Sequence, residues 1–420
     1  MAGVDRPAVS TPADVRHAVE AVWRIESARI VGTLARFTGD FALAEDLAQE
    51  ALAEALVGWP RDGVPRNPAG WLLTVGRRRA IDAFRRREAL DERYAVLAHE
   101  AEPSQWDPDR VDDDVLTLMF ISCHPVLSRE AQVALTLRVL GGLTSDEIAR
   151  AFLVPTATVQ ARITRAKKTL GAARVPFEMV SQEECRERLG PVLSVLYVIF
   201  TEGSNASHGS DLIRADVARE AVRLARVLAR LVPDEPEVHG LLALLELTAA
   251  RFPARLDPDG EPILLEDQDR RRWDRSAVRR GRAALVQAGK VGRGLGAYGV
   301  QAAIAECHAV AGSVDDTDWD RVVLLYVALS RLAPSAVVEL NRAVAVSMAS
   351  GPVAALRVVD DLVAAGALAD SHLLPSVRGE LLRRLGRVEE ARDEIALAVR
   401  LCRNDREKQV LAGKLAALNG

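Results

Sequence analysis

The chain has 420 residues, is 49% hydrophobic and 4% aromatic, and carries a formal net charge of −4. Such a length admits roughly two to four domains with sizeable cores, and the excess of Ala, Leu, Val and Arg over aromatics points to helices rather than strands. No apolar run reaches about 18 residues and the N-terminus, MAGVDRPAVSTPADVRHAVE, lacks an apolar signal core, so no membrane partner and a cytoplasmic location are expected.

Residues 1–12 read as a disordered tail and 13–87 as a compact helical unit. Ala18, Val19, Val22 and Ile25, then Ile30, Leu34 and Phe37, recur at helical spacing. Gly39-Asp40 interrupts the pattern. FALAEDLAQEALAEAL resumes it, with Leu43, Leu47, Ala51 and Leu52 inward and Glu45, Asp46, Gln49 and Glu50 outward. Pro60 to Pro68 reads as a loop. Asn67 can then N-cap a helix whose first position suits Pro68.

That helix is the most unusual in the chain. Trp71 to Arg87 packs one tryptophan, six arginines and one aspartate together. At 100° per residue, Trp71, Val75, Arg78, Arg79, Asp82, Arg85 and Arg86 share one face, and Leu73, Ala80 and Phe84 the other. A basic, aromatic face suits a nucleic-acid backbone and an unstacked base. The pattern fits equally a solvated basic face with Trp71 in a core. Charge is segregated here: Arg61 to Arg87 is basic, Glu88 to Asp114 acidic, and such segregation speaks to partners.

Residues 88–112, with Pro103 and Pro108, read as an acidic linker. Residues 113–172 form a second helical unit. Within it, LTSDEIARAFLVPTATVQARITRAKKTL has the pattern of a helix-turn-helix. Thr144 and Glu147 form a capping box, and Leu143 and Ile148 a hydrophobic staple. Leu153-Val154-Pro155 makes the break. Val159, Ile163, Ala166 and Leu170 then face the first helix. Ala157, Thr158, Ala161, Thr164, Arg165 and Lys168 lie opposite, flanked by Gln160, Arg162 and Lys167. Small residues at the start permit entry into the major groove, and the basic ones reach bases or phosphates. An ordinary hairpin with a charged outer face is the plainer alternative.

Residues 185–420 read as a larger helical region. Gly379, Leu382, Gly386, Val388, Ala391, Ile395 and Ala398 follow tetratricopeptide spacing, and Gly351 stands 35 residues before Gly386. The repeat is clearest over 320–420. Two polar clusters remain: Glu202, Ser204, Ser207 and His208, and Glu266, Asp267 and Asp269. They lack a nucleophile elbow, phosphate loop or metal spacing and read as capping loops, so no enzyme is expected. Cys123, Cys185, Cys307 and Cys402 are scattered without a CxxC, as in reduced, buried thiols. Cys123-His124 and Cys307-His308 have no chelating spacing, so neither metal nor cofactor is expected.

The order of these pieces resembles bacterial sigma factors of the extracytoplasmic-function type. TGDFALAEDLAQEAL looks like the region-two helix that docks on RNA polymerase, NPAGWLLTVGRRRAIDAFRRR like the element that opens the minus-ten region, and the helix-turn-helix like the region-four reader of the minus-thirty-five element. The resemblance implies an all-α protein that directs transcription initiation with core RNA polymerase and promoter DNA as partners. It implies polymerase docking for Asp46, Gln49 and Glu50. Trp71, Arg77, Arg78, Arg79, Arg85 and Arg86 would lie near melting DNA, with Asp82 as a brace among the arginines. Thr158, Gln160, Arg162 and Arg165 match DNA-facing positions. Two departures stand out: Arg78 where the pattern has asparagine, and Ala157 where it has glycine. Everything after residue 172 exceeds the usual two units and resembles the subgroup with a tetratricopeptide-like extension. That implies a built-in regulatory domain with a protein, peptide or small-molecule ligand. The acidic linker would occupy a polymerase channel otherwise used by nucleic acid. The alternative is a helix-turn-helix regulator that acts without polymerase.

Overall fold

The architecture comes from a computed structural model, which describes residues 12–88, 108–152, 154–178, 182–204, 215–257, 263, 265–402 and 404–418. Tail residues 1–11, linker residues 89–107, Leu153, Ser207 and His208 lie outside the described residues. Among the described residues all regular structure is helical, and no helix is long and apolar enough to cross a membrane. The chain divides into two compact units at Leu196–Tyr197.

In the first unit, α1 (Pro12–Thr38), α2 (Phe41–Asp62) and α3 (Pro68–Glu88) pack on one another. The turn between α1 and α2 has a clear local cause. Gly39 sits at φ +66°, and the Asp40 carboxylate accepts from the amides of Ala42 and Leu43 at 2.8 and 3.1 Å. The buried stripe of α1 departs from the sequence expectation. Ile25 is 70% exposed, while Val15, Val19, Trp23 and Ser27 are buried at four-residue spacing. Ile25 lies two residues, or about 200°, around the helix from Trp23, so its hydrophobicity misled the periodicity. The loop expected from Pro60 is shorter too: α2 runs through Pro60 to Asp62 and ends where Gly63, at φ +85°, donates to the Trp59 carbonyl at 2.9 Å.

Four shorter helices follow: α4 (Pro108–Ser122), α5 (Arg129–Val139), α6 (Ser145–Phe152) and α7 (Thr156–Ala172). Helix α4 lies so close to α1 that a Cβ on Gly32 would stand 2.9 Å from that of Asp114. Helix α8 (Gln182–Ser204) carries the chain across the boundary between units.

The second unit begins with α9 (Ala215–Leu231) and α10 (Pro236–Ala249), followed by three 3-10 turns at Phe252–Ala254, Leu265–Asp267 and Arg270–Arg272. It continues with α11 (Arg275–Lys290), α12 (Ala297–Val310), α13 (Trp319–Leu332) and α14 (Ala336–Ser350). The last four are α15 (Pro352–Ala364), α16 (Leu373–Arg384), α17 (Val388–Leu401) and α18 (Asp405–Ala417). From α12 onward each helix packs on the next, as in helical-repeat arrays. Gly351 and Gly386 turn their hairpins at φ +87° and +75°, and a Cβ on Gly379 would meet Ile395 Cδ1 at 2.7 Å. Val388, at the head of α17, is 42% exposed.

Candidate nucleic-acid interface

Helix α3 is anchored by Leu72, Val75, Ala80 and Phe84, all buried. Val75, expected on the basic face, belongs instead to this core stripe, and Leu73 is only half-buried. The stripe drifts across the face assigned at strict helical spacing because it follows α1, where Leu34 comes within 2.8 Å of a Cβ built on Gly76. Asn67 caps the start, its Oδ1 accepting from the Gly70 amide at 3.0 Å. Trp71 is half-buried and meets Trp59 of α2 edge-on, ring centroids 5.5 Å apart. It thus joins the edge of a core while keeping part of its ring at the surface.

The arginines divide. Arg78 Nη2 bonds Glu54 at 2.9 Å, and Arg79 bonds Glu50 at 2.9 Å and Glu54 at 2.8 Å. These two therefore turn to carboxylates of α2. The Arg79 hydrogen bond is the main cause holding the Glu54 carboxyl below its ordinary range, and Arg78 adds to it. Arg77 is half-buried, and burial together with nearby Arg36 lowers its guanidinium's affinity for its proton. Arg85 is exposed, and the Arg86 side chain lies outside the described residues.

The helix-turn-helix forms as its sequence dictates. The Thr144 amide donates to Glu147 Oε2 at 2.8 Å and the Glu147 amide to Thr144 Oγ1 at 3.1 Å, which is the capping box. Leu143 and Ile148 are both buried, and so are Val159, Ile163, Ala166 and Leu170 along α7. Thr156 Oγ1 donates to Asp146 at 2.8 Å and ties the second helix to the first. Gln160 and Arg165 are exposed; Thr158 and Arg162 are half-buried at the rim of that face.

The docking-like helix and the recognition-like helix meet. Glu45, expected outward, is buried with a side chain only 4% exposed. Lys167 of α7 reaches it at 2.6 Å and also reaches Asp46; Arg138 of α5 stands 3.6 Å from Glu45. The helix turn that carries Asp46 outward carries Glu45 under α7, because neighbouring residues differ by about 100°. Burial alone would lower the Lys167 pKa, but Glu45 and Asp46 more than reverse this and hold it above the ordinary lysine value. A second latch lies nearby: Arg24 of α1 pairs with Glu147, and Gly142, at φ +65°, would put a Cβ 3.1 Å from Arg24 Cα. Asp46 and Glu50 are exposed and Gln49 half-buried, so the three residues share one surface, with Asp46 and Glu50 already paired internally. Glu54 and Lys167 escaped sequence reading as site residues. Glu54 follows Glu50 by four, and Lys167 flanks the buried stripe, the only signals available.

All four cysteines are free and buried, and burial pushes the Cys123 thiol up to about 12. Among the described residues one grouping of metal-ligand types occurs, His372, Cys402 and Glu407, with donor atoms within 4.8 Å of one another. His372 Nε2 already pairs with Glu407 at 3.2 Å, and Cys402 Sγ donates to the Asn404 carbonyl at 3.5 Å.

A capped three-helix unit followed by a helix-turn-helix on a shared body defines a two-domain promoter reader of the sigma-70 class. Sigma-70 region 2 matches residues 24–89, sigma-70 region 4 matches 117–170, and a family of unknown function, DUF6596, matches 188–289. An uncharacterized protein of Rhizobium meliloti is 43% identical over 389 residues, 90% of either chain. The probable ECF RNA polymerase sigma factor SigI of Mycobacterium tuberculosis is 30% identical over 163 residues, 37% of this chain and 56% of its own. The ECF RNA polymerase sigma factor SigL of the same species is 30% identical over 136 residues, 32% of this chain and 76% of its own. No solved structure matches. The chain belongs to the extracytoplasmic-function RNA polymerase sigma factors, in the form that carries a large helical C-terminal extension. Its sigma domains imply core RNA polymerase and promoter DNA as partners.

Proposed function

We propose that the chain docks on core polymerase through the α2 surface of Asp46, Gln49 and Glu50, and that docking releases α7 to read the minus-thirty-five element. The carrying observation is that Lys167 of α7 is paired with Glu45 and Asp46 of α2. A basic polymerase surface would compete with Lys167 for Asp46. Once α7 is free, Thr158, Gln160, Arg162 and Arg165 serve direct readout. Trp71 with Arg77, Arg78, Arg79, Arg85 and Arg86 captures unstacked bases and phosphates of the melting strand. Glu50 and Glu54 hold Arg78 and Arg79 until phosphates of that strand replace them, and Asp82 serves as a brace among the arginines. Docking both readers on one enzyme makes the second DNA contact intramolecular, which raises its effective concentration. The factor works where polymerase works, in the cytoplasm, and carries out no reaction of its own.

The test is run-off transcription with purified core polymerase, mapped on genomic DNA. Starts that require both protein and core support the reading, and their absence refutes it. Lys167→Ala should raise affinity for core polymerase, whereas Asp46→Arg should lower it; equal affinities for all three proteins would remove the competition. We further infer that the C-terminal helical array regulates initiation by binding a ligand, on the ground that helical-repeat arrays build concave binding surfaces.

A further inference from the structure

The residues left over from the promoter-reading function converge in the second unit. The LEDQDRRRWD segment and the α10 end place two guanidiniums on one buried ring: the Arg251 and Arg270 guanidinium carbons lie 5.5 and 5.2 Å from the Trp273 centroid. Arg251 Nε donates weakly to Gln268 Oε1 at 3.4 Å, and among the described residues no carboxylate lies within ion-pair reach of Arg251. Arg270 spends its Nη1 on the carbonyls of His308 and Ala311, and its buried Nη2 has no partner among the described residues. Burying cations beside neutral partners is unfavourable unless an anion arrives. The consequences are visible in neighbouring groups. Burial, then Arg255 and Arg270, brings Arg251 down to about 10; burial, then Arg251 and Arg270, brings His308 down to about 4.

Arg251 opens onto a cavity of about 310 Å³. Arg255, whose Nη1 donates to the Ser204 carbonyl at 2.8 Å, and Lys414 also line it, and among the described lining residues the one carboxylate is Glu407, which pairs with His372. The remaining wall is mostly aliphatic, with Leu256, Ile263, Leu265, Leu373, Val410 and Leu411. A cavity near this size, apolar with a few convergent polar groups, has the character of a small-molecule site. We propose that this cavity binds a small organic acid, its carboxylate received by Arg251 and its apolar body by the aliphatic wall, with Arg255 and Lys414 adding positive charge to the lining. One negative charge suits it better than two, because the Glu407 carboxylate shares the cavity. That such an acid then sets sigma activity rests on the regulatory reading above; that it binds does not.

Thermal unfolding of the full chain is measured with sodium hexanoate, hexylamine hydrochloride or sodium phosphate at matched ionic strength. Hexanoate should raise the midpoint by several degrees and saturate, while hexylamine and phosphate should not. Arg251→Gln should abolish the hexanoate shift. Val410→Trp, which fills the cavity and keeps the guanidinium, should abolish it as well and guards against a folding defect in the first variant. No shift with hexanoate, an equal shift with phosphate, or a shift that survives both variants overturns the site. Run-off transcription with and without hexanoate is then separate: binding without any change in transcript yield leaves the site standing and removes the regulatory reading.

Discussion

Two regions of the molecule bury cations, and they do so in opposite ways. Lys167 packs against α2 beside Glu45 and Asp46, so its charge is met inside the protein. Arg251, just past the end of α10, packs beside Trp273 and Gln268, so its charge is met by a ring and an amide. The first arrangement is a latch, strong while both halves are present. The second is a receptor, tolerable empty and improved by an anion. Which residues surround a buried charge therefore separates a contact made to hold from one made to receive.

The largest test of that contrast breaks the latch. Lys167→Ala leaves the buried Glu45 carboxylate with Arg138 at 3.6 Å, and should cost about 3 kcal/mol in urea unfolding, with faster hydrogen exchange along α7. Glu45→Gln should cost a similar amount, and a cost below that of a surface pair would deny the latch. Next comes pH. His308 is held neutral at about 4 against an ordinary 6.5, so its contribution is present above 6.5 and fades as pH falls toward 4. The second unit should lose about 3 kcal/mol across that window. His308→Gln should flatten the slope, and a slope that persists would assign it elsewhere. Arg251→Gln should act with the opposite sign from Lys167→Ala, raising unliganded stability by about 1 kcal/mol. A loss as large as that of Lys167→Ala would show that Arg251 is fully compensated in the folded protein. Smallest is Arg79→Ala: its pairs with Glu50 and Glu54 are surface ones, so the cost should be about 1 kcal/mol or less and vanish in high salt.

The helix-turn-helix was legible in the sequence because each of its cues is local. Thr144, Glu147, Leu143 and Ile148 act within a stretch of six residues, and the Val159-to-Leu170 stripe within one helix. The hairpin glycines Gly351 and Gly386 were legible for the same reason. What failed depended on distant neighbours. Glu45 is buried because α7 lies over it, Val75 because α1 does, and Ile25 is exposed because Trp23 and Ser27 take the inward positions. The arginines of α3 could be named from sequence, but not their partners. Glu50 and Glu54 of α2, more than twenty residues away along the chain, hold Arg78 and Arg79. The organic-acid cavity assembles residues from α10 to α18, a span over which no short motif operates.

The turns at Gly351 and Gly386 bear on how such a protein can change over generations. Each hairpin meets chiefly its sequence neighbours, and its bend is written in one glycine. Duplicating or deleting one unit, 35 residues from glycine to glycine, would lengthen or shorten the array while keeping its internal joints intact. Gene duplication thus has a ready-made place to act, and the C-terminal half can diversify without rewriting the half that reads promoters.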